Sequence, residues 1–412
     1  MNAFLPADIL LPQVDSMERW AVIACDQFTS DPAYWARVAE TVGDAPSTLR
    51  LILPEAELGT PQEAAHTQAI NEAMIDYLNK NLFKVYPNSL VYVERVLHNG
   101  SIRKGLVGMV DLDAYDYSPN ATSDIRATER TVTERIPPRQ RVRRDASIEL
   151  PHILLLCDDH EKVLLEPIEA KKDQLTKLYD FDLMEEGGRI TGYLVTGADI
   201  DDFNARLTAY SASCPQKYAD LDGAPLVFAV GDGNHSLATA KSCYEELKAN
   251  HPGEDLSAHP ARYALVELEN IHDDAQVFEP IHRVIVETDV DALLAALEPW
   301  CAPDGYPIAW YAGSRSGTVY LDKKRSQLEV GALQMFLDEY LADHAGKIDY
   351  IHGDDDLKNL AAQDNAIGFL LPAMAKSQLF RGVVADGVLP RKTFSMGHAR
   401  EKRYYLEGRK IK

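Results

Sequence analysis

The sequence predicts a mixed α/β fold, and three patterns carry that prediction. Short apolar runs rich in β-branched residues alternate with segments whose apolar residues recur at helical spacing. The dipeptide Asn99-Gly100 separates two β-branched arms, which is typical of a hairpin. At residues 225–250 an apolar strand stops at a glycine and a helical pattern follows at once. The chain has 412 residues, enough for two or three domains with sizeable cores.

The individual elements follow from the same patterns. Apolar runs predict strands at residues 19–25, 48–53, 152–159, 189–198, 225–230, 262–270, 278–288, 317–321, 348–353 and 366–372, with a hairpin at 89–112. Helical spacing predicts helices at residues 31–42, 60–83, 198–213, 235–250, 289–300, 332–344 and 355–363. Asn99-Gly100 supplies the two positive φ values of a type I′ turn. Pro137-Pro138 predicts an extended or looped stretch within an arginine-rich segment.

Two regions are expected, an N-terminal α/β region at 1–250 and a C-terminal α/β region at 261–412. The first contains the hairpin at 89–112 and the strand–glycine–helix motif. Neither region shows an internal repeat or a low-complexity tract.

Charge and cysteine content exclude several classes of protein. A formal net charge of −22 repels nucleic acid and anionic membranes, so neither is an expected partner. No window approaches the roughly 18 unbroken apolar residues of a membrane span, and the N-terminus does not resemble a signal peptide. The five cysteines are scattered and form no CxxC pair, which predicts free thiols in a reducing cytoplasm.

The turn "GDGNHS" at residues 231–236 is the strongest candidate for a functional site. A glycine turn before a helix exposes free backbone N–H groups where the helix dipole favours an anion. The residues of this turn and helix predicted to bind a nucleotide phosphate are Gly231, Gly233, Asn234, Ser236, Thr239 and Lys241. A strand–glycine–helix connection made only for packing fits the same spacing.

Three residues are the catalytic candidates. Asp232 and His235 stand beside the predicted phosphate cradle, where a carboxylate and an imidazole bind a divalent metal or move a proton. Asp26 follows an apolar strand, the position where ligands bind in α/β proteins.

Two basic segments are less specific indicators of a binding site. The arginines of residues 126–144, Arg126 among them, either line a pocket for an anionic small molecule or pair with acidic side chains, and the basic residues at 400–403 are expected to be solvated.

Over nearly its whole length the chain resembles the family catalogued as domain of unknown function 1015. That family carries D-G-H-H-R-Y-x-T-A at this turn, and this chain reads D-G-N-H-S-L-A-T-A. The match retains Asp232, Gly233, His235 and Thr239, while Ser236 stands where the family has arginine. The motif is similar to that of the ParB/sulfiredoxin-like fold, which implies a nucleotide-binding core with additional α/β domains.

Other segments resemble the family in the same order along the chain. Asp26 matches an acid in the family's Y-D-V-I-S element, and Glu129 lies in a segment similar to H-E-x-T. His282 and Arg283 match P-T-H-R-V, and Lys392 matches P-K-S-T-x-F. The resemblance implies that Glu129, His282, Arg283 and Lys392 bind substrate or an anion.

Three functions are compatible with these residues. The first is a kinase that transfers a phosphoryl group from ATP or ADP, with Mg²⁺, to a hydroxylated metabolite such as a free amino acid. In it Asp26 accepts the hydroxyl proton, and Asp232 or His235 holds Mg²⁺ or orients the phosphate. The second is a catalytically silent nucleotide-binding regulatory module that forms a ligand-dependent homodimer, and it is favoured by the missing arginine. The third is a metal-dependent hydrolase that uses Asp232 and His235.

Overall fold

A computed structural model describes residues 2–29 and 31–412, with every side chain except those of residues 56 and 134. Its strands, numbered along the chain, are β1 (Phe4–Leu5), β2 (Ala7–Pro12), β3 (Val22–Ile23), β4 (Phe83–Val96), β5 (Ile102–Asp111), β6 (Tyr115–Asp116), β7 (Ile125–Ala127), β8 (Ile148–Glu149), β9 (Leu154–Cys157), β10 (Thr176–Asp182), β11 (Arg189–Val195), β12 (Phe228–Asp232), β13 (Tyr263–Asn270), β14 (Phe278–Pro280), β15 (His282–Val286), β16 (Cys301–Ala312), β17 (Arg315–Leu321), β18 (Lys347–Ile351), β19 (Ile367–Leu370), β20 (Phe394–Met396), β21 (Tyr404–Tyr405) and β22 (Arg409–Lys410). Its α-helices are α1 (Met17–Trp20), α2 (Pro32–Val42), α3 (Glu63–Asn79), α4 (Ile136–Asp145), α5 (Glu166–Glu169), α6 (Ala198–Lys217), α7 (Asn234–Asn250), α8 (Val290–Leu297), α9 (Glu329–Asp343), α10 (Asp354–Ala361) and α11 (Lys376–Asp386). The predicted mixed α/β class is confirmed.

Two sheets organise these elements. The large sheet has the order β10-β11-β4-β5-β13-β9-β12-β7-β6, with β1 and β2 paired to β5 and β4. It is mixed, since β12 runs parallel to β7 and antiparallel to β9. The second sheet has the antiparallel order β17-β16-β19-β15-β18.

Apolar side chains fill both faces of the large sheet. Along β4, Val91 and Val93 belong to one apolar cluster, while Leu90 and Tyr92 belong to another. This is the alternation that a strand covered on both faces requires. A third cluster joins Leu154 of β9 to the core of the second sheet, so the two sheets share packed surface.

The hairpin is confirmed, but its predicted turn is wrong. Strands β4 and β5 pair antiparallel up to Val96 and Ile102. The N–H of Leu97 then donates to Ser101 O, and of Asn99 and Gly100 only Gly100 has a positive φ, of 81°. A three-residue loop with one glycine in the left-handed region replaces the type I′ turn, because the register closes one residue further out.

Three other local predictions are also wrong. Pro137-Pro138 lie in the first turn of α4 (Ile136–Asp145), not in an extended or looped stretch, because proline is tolerated at the start of a helix. Residues 48–51 form a 3-10 helix (Thr48–Leu51) in place of a strand, because the Ser47 side chain accepts from the N–H of Leu49 and caps it. The basic tail is folded back on the molecule instead of being solvated. Its strand β21 pairs with β3, and β22 pairs with β8.

The expected division into residues 1–250 and 261–412 stays a prediction. Strand β13, beyond the expected boundary, lies inside the large sheet between β5 and β9.

All five cysteines are free thiols, as predicted. Within residues 2–29 and 31–412, no helix has both the length and the apolar character needed to cross a bilayer.

Candidate functional site

A cleft of about 990 Å³ has walls to which both sheets contribute. One wall comes from residues 25–27, Glu55, the segment 129–139, His152 and the turn 232–236. The facing wall comes from residues 279–282, 350–354 and 391–402. The predicted catalytic residues Asp26, Asp232 and His235 therefore line one cavity.

The turn between β12 and α7 has the geometry of an anion cradle. Gly233 is the N-cap of α7 with φ 79°, and a Cβ there would lie 3.0 Å from Ile153 Cα. Both features favour glycine. The N–H groups of Asn234 and His235 open the helix without an acceptor in the described part of the chain. The Asn234 side-chain oxygen is also buried there without a hydrogen-bond partner among the described residues.

Asp232 forms an ion pair across the cleft with Lys402. Lys402 Nζ lies 3.0 Å from Asp232 Oδ2, and the N–H of Gly233 donates to Asp232 Oδ1 at 3.0 Å. Burial raises the pKa of Asp232, but the charge and hydrogen bond of Lys402, together with His152 and the N–H of Gly233, make the net shift downward. Asp232 is therefore a carboxylate at neutral pH.

Glu129 lies beside this pair and is held by the loop that carries Lys392. The N–H of Lys392 donates to Glu129 Oε1 at 3.0 Å. Burial raises the pKa of Glu129 against the opposing charge of Lys392, and the negative charge of Asp232 raises it further. The two carboxylates are thus close enough to influence each other. Lys392 lines the cleft and forms no ion pair with a described side chain.

His235 is a neutral structural acceptor on the cleft wall. Its Nε2 accepts the N–H of Val132 at 3.2 Å, so the proton of the neutral ring is on Nδ1. Burial, together with Arg139 and Arg135, lowers the pKa of His235 to about 4. The predicted metal-binding or proton-accepting role is therefore not available to Nε2, which already holds the 129–139 segment in place.

A chain of hydrogen-bonded side chains runs from Ser236 through His152 and Tyr405, in the C-terminal tail, to Cys25. His152 Nε2 lies 2.8 Å from Ser236 Oγ, and His152 Nδ1 lies 2.8 Å from the Tyr405 hydroxyl. That hydroxyl donates to Cys25 Sγ at 3.2 Å. Since the Tyr405 proton is directed at Cys25, His152 carries its proton on Nδ1 and accepts from Ser236. Burial raises the pKa of Cys25 to about 12, so it remains a thiol.

Cations are concentrated in the cleft of a strongly acidic protein. The basic residues on its walls are Arg130, Arg135, Arg139, Arg391, Lys392 and Lys402. The acidic ones are Asp26, Glu55, Glu129, Asp232, Glu279 and Asp354. The whole chain has 42 basic and 64 acidic residues, so a cleft with equal numbers is basic relative to the rest. This favours an anionic ligand.

Three residues of the predicted phosphate cradle lie outside the cleft. Gly231 is a packing position, because a Cβ there would lie 2.7 Å from Met396 Sδ. Thr239 is buried, and its hydroxyl donates to His235 O at 2.7 Å. Lys241 donates to Leu112 O at 2.9 Å, away from the turn.

Two of the predicted anion-binding arginines are structural. Arg126 is buried and donates to the carbonyls of Ser123, Ala224 and Pro225. Arg283 is fully buried and donates to the carbonyls of Arg391 and Lys392, at 3.1 and 2.8 Å. It therefore positions the loop that carries Lys392 without contacting the cavity.

His282 does line the cleft, but its ring is already bonded on both sides. Its Nδ1 accepts the N–H of Leu371 at 3.1 Å, and its Nε2 lies 3.2 Å from Asp354 Oδ1. Burial lowers the pKa of His282, although Asp354 opposes the shift.

Sequence reasoning missed His152, Arg391, Lys402 and Tyr405. His152 stands next to Pro151 before an apolar strand, and no motif in the sequence marks it. Lys402 and Tyr405 belong to a tail whose polar composition is typical of a solvated end. The pairing of β21 with β3 brings Lys402 to the cleft and Tyr405 to the hydrogen bond with His152.

Comparison with curated proteins gave no match. Among solved structures, a free serine kinase in complex with AMP is 13% identical, with a TM-score of 0.34, over 74% of this chain and 90% of that one. A conserved hypothetical protein from Pyrococcus furiosus is 13% identical, with a TM-score of 0.34, over 72% and 90%. SbnI from Staphylococcus aureus is 10% identical, with a TM-score of 0.36, over 71% and 83%. Similarities this low carry no inference about function.

The family comparison covers most of the chain. Residues 7–384 match the family described as "Protein of unknown function (DUF1015)". This match includes the turn 232–236 and the cleft residues up to Asp354, and the resemblance seen in the sequence is thereby confirmed. The chain belongs to the DUF1015 family.

Proposed function

We propose that the cleft binds a nucleotide and transfers a phosphoryl group from ATP or ADP to the hydroxyl of a small metabolite, such as a free amino acid, in the cytoplasm. One observation supports this proposal. The same cavity contains an open helix N-terminus, several cations and several carboxylates. Phosphoryl transfer is catalysed mainly by positioning and by neutralising the phosphate oxygens, and these groups suit both tasks.

The phosphate end of the nucleotide would lie against the first turn of α7. The N–H groups of Asn234 and His235 point from a helix N-terminus, where the dipole also favours negative charge. Lys392, Arg391 and Arg135 line the same cleft as this turn. Together they supply the positive charge that a single arginine at position 236 would otherwise contribute.

The acceptor hydroxyl would be deprotonated by Asp26. Its carboxylate lines the cleft and accepts one hydrogen bond, from Gln27 Nε2 at 3.0 Å. In the transfer, the acceptor oxygen forms a bond to the terminal phosphorus as the bridging P–O bond breaks. The hydroxyl proton goes to Asp26 and the shortened nucleotide leaves.

Asp232 and Glu129 would hold Mg²⁺ together with the phosphates. Both carboxylates line the cleft, and Mg²⁺ in such enzymes is bound by one or two carboxylates plus substrate phosphates. Among the described residues no group of three or more His, Cys, Asp or Glu forms a ready metal site. A bound Mg²⁺ would neutralise charge on the phosphate oxygens. Lys402 already neutralises Asp232, so this chain supplies part of that positive charge itself.

Turnover of ATP and ADP tests the proposal. Purified protein is incubated with each nucleotide and a panel of hydroxylated metabolites, with and without Mg²⁺, and products are identified by mass spectrometry. We expect a phosphorylated metabolite from the native protein and a loss of at least about 100-fold in rate for Asp26→Asn, the usual effect of removing a general base. Asp76→Asn, on a surface ion pair outside the cleft, is the matched control. No turnover and no nucleotide-induced rise in melting temperature would rule the proposal out.

A nucleotide-binding module without chemistry is the second candidate. The observation that favours it is Ser236, which stands at the family's arginine and is bonded to His152 instead of being free to hold a phosphate. It predicts nucleotide binding in the same assay with no product, and a dimer whose association depends on ligand. The metal-dependent hydrolase has no such observation in its favour.

A further inference from the structure

A second, smaller cavity adjoins the cleft and differs from it in chemistry. This side pocket has a volume of about 160 Å³. Its walls are mainly aliphatic and include Leu53, Met74, Val142, Ala146, Ile148 and Leu265. It lies between α3 and α4 on one side and β13 of the large sheet on the other.

The side pocket opens onto the cleft through a shared rim. Cys25, Glu55, Arg139, His152 and Ser236 line both cavities. The hydrogen-bonded pair of Ser236 and His152 therefore stands at the junction of the polar and the apolar space. A molecule that occupies both places its apolar part in the side pocket and its polar part at this pair.

The charged residues at the pocket are already paired within the protein. Glu149 accepts from Arg143 at 2.6 Å and from Arg409 at 2.7 Å, and Arg139 lies 2.9 Å from Glu55. Thr239, predicted from the motif to bind phosphate, lines this pocket with its hydroxyl bonded to His235 O. The pocket thus presents an apolar surface without a free charge among the described side chains.

The volume of the side pocket is suited to one ring-sized apolar group. Protein interiors are close-packed, and an unfilled apolar cavity is destabilising in proportion to its volume. An apolar cavity of about 150 Å³ in another protein accommodates benzene. A space of about 160 Å³ that opens on a binding cleft is therefore suited to a ring-sized group of a ligand.

We propose that the side pocket binds a ring-sized apolar group of the acceptor substrate, so that the acceptor is a hydroxylated compound with an aromatic or branched aliphatic substituent. The identity of this ligand as the acceptor rests on the proposed function. The subsite itself depends only on the geometry of the two cavities.

Binding of two phosphate esters tests the subsite without turnover. Benzyl phosphate and methyl phosphate carry the same charged group, so the difference between their Kd values isolates the ring. We expect benzyl phosphate to bind at least about tenfold tighter in titration calorimetry, because the ring is buried from water. Ala146→Leu fills the pocket and should remove this preference. Ala73→Leu, on α3 but outside the pocket, should keep it.

The remaining outcomes separate the subsite from the kinase. Equal Kd values for the two esters in the native protein, or a preference that survives Ala146→Leu, would overturn the proposal. If Ala146→Leu does not fold, Met74→Ala enlarges the pocket and should shift the preference toward naphthylmethyl phosphate. If Ala146→Leu weakens AMP instead of benzyl phosphate, the pocket holds the nucleotide base and the proposal is wrong. A benzyl preference without phosphoryl transfer would support the subsite and count against the kinase.

Discussion

Two neighbouring residues of the tail, Lys402 and Arg403, belong to two very different charge clusters. Arg403 lies in a buried charge cluster at the large sheet, formed by Arg103, Arg403, Glu267, Glu269 and Glu407. Its side chain is 2% exposed and its partner Glu267 is 3% exposed. Lys402 instead reaches the cleft, where it is 13% exposed and its partner Asp232 is 25% exposed.

The two clusters differ in whether another group can replace a partner that an ion pair has lost. In the buried cluster each charge has a fixed partner, and water has no access to replace one that is lost. In the cleft the pair is partly exposed to solvent, so under the proposed function a phosphate would compete with Asp232 for Lys402. We therefore expect the buried cluster to control folding and the cleft pairs to control binding.

The largest expected effect comes from breaking the buried cluster. Arg403→Met leaves Glu267 and Glu407 buried without their cation and should lower the free energy of unfolding by about 3–5 kcal/mol. Urea denaturation measures this loss. Arg144→Met, which breaks an exposed pair with Glu246, should change stability by less than about 1 kcal/mol. Equal losses in the two variants would contradict the distinction.

Lys402→Met should affect ligand binding strongly and stability little, the opposite of Arg403→Met. It removes a cation from the cleft and leaves the Asp232 carboxylate to repel a phosphate, so ATP should bind about tenfold or more weakly. Titration calorimetry gives the Kd. Lys80→Met, which breaks a surface pair with Asp76, is the control and should leave the Kd unchanged. An unaltered ATP affinity in Lys402→Met would remove Lys402 from the site.

A smaller effect concerns pH and His235. Because the pKa of His235 is lowered from 6.5 to about 4, the unfolded chain binds a proton in this range that the folded protein does not. Stability should therefore be lost as pH falls from 6.5 toward 4, by about 1–2 kcal/mol after allowance for solvent screening. His235→Gln should reduce that loss. Urea unfolding at pH 7, 5.5 and 4.5 compares the two proteins, and parallel pH profiles would contradict the assignment.

The smallest expected effect is at Lys241, the cation that the motif predicts for phosphate binding. Its Nζ donates to Leu112 O and pairs with Glu245, away from the cleft. Lys241→Met should change ATP affinity by less than about twofold, within the additivity of distant sites. A tenfold loss would show that the helix, rather than the cleft, holds the phosphate.

The sequence was informative where structure is local. The strand, the glycine turn and the helix around residue 233 are all signalled within a few residues, and all three are present, with β12 at Phe228–Asp232 and α7 at Asn234–Asn250. Asp26, Asp232 and His235 also proved to line one cavity. The position of a side chain along a helix was less predictable. Lys241 lies on α7 but does not line the cleft, and its side chain donates to Leu112 O. Spacing in the sequence alone does not reveal this direction.

Contacts between distant segments account for the rest. Lys402 reaches the cleft, and Tyr405 reaches His152, because the tail pairs with β3, and no local pattern encodes that pairing. His152 lacked a motif because its partners, Ser236 and Tyr405, lie far away in the chain. The sequence of residues 48–53 suits a strand by propensity, but the Ser47 cap and the surrounding core select a 3-10 helix.

The return of the tail to the cleft has a consequence for synthesis. The turn at residues 232–236 is made long before Lys402, which pairs with Asp232 of this turn. A nascent chain therefore carries the anion cradle without its opposing cation until the tail has emerged and paired with β3. Under the proposed function, the contribution of Lys402 to binding would therefore arise only once the tail has paired with β3.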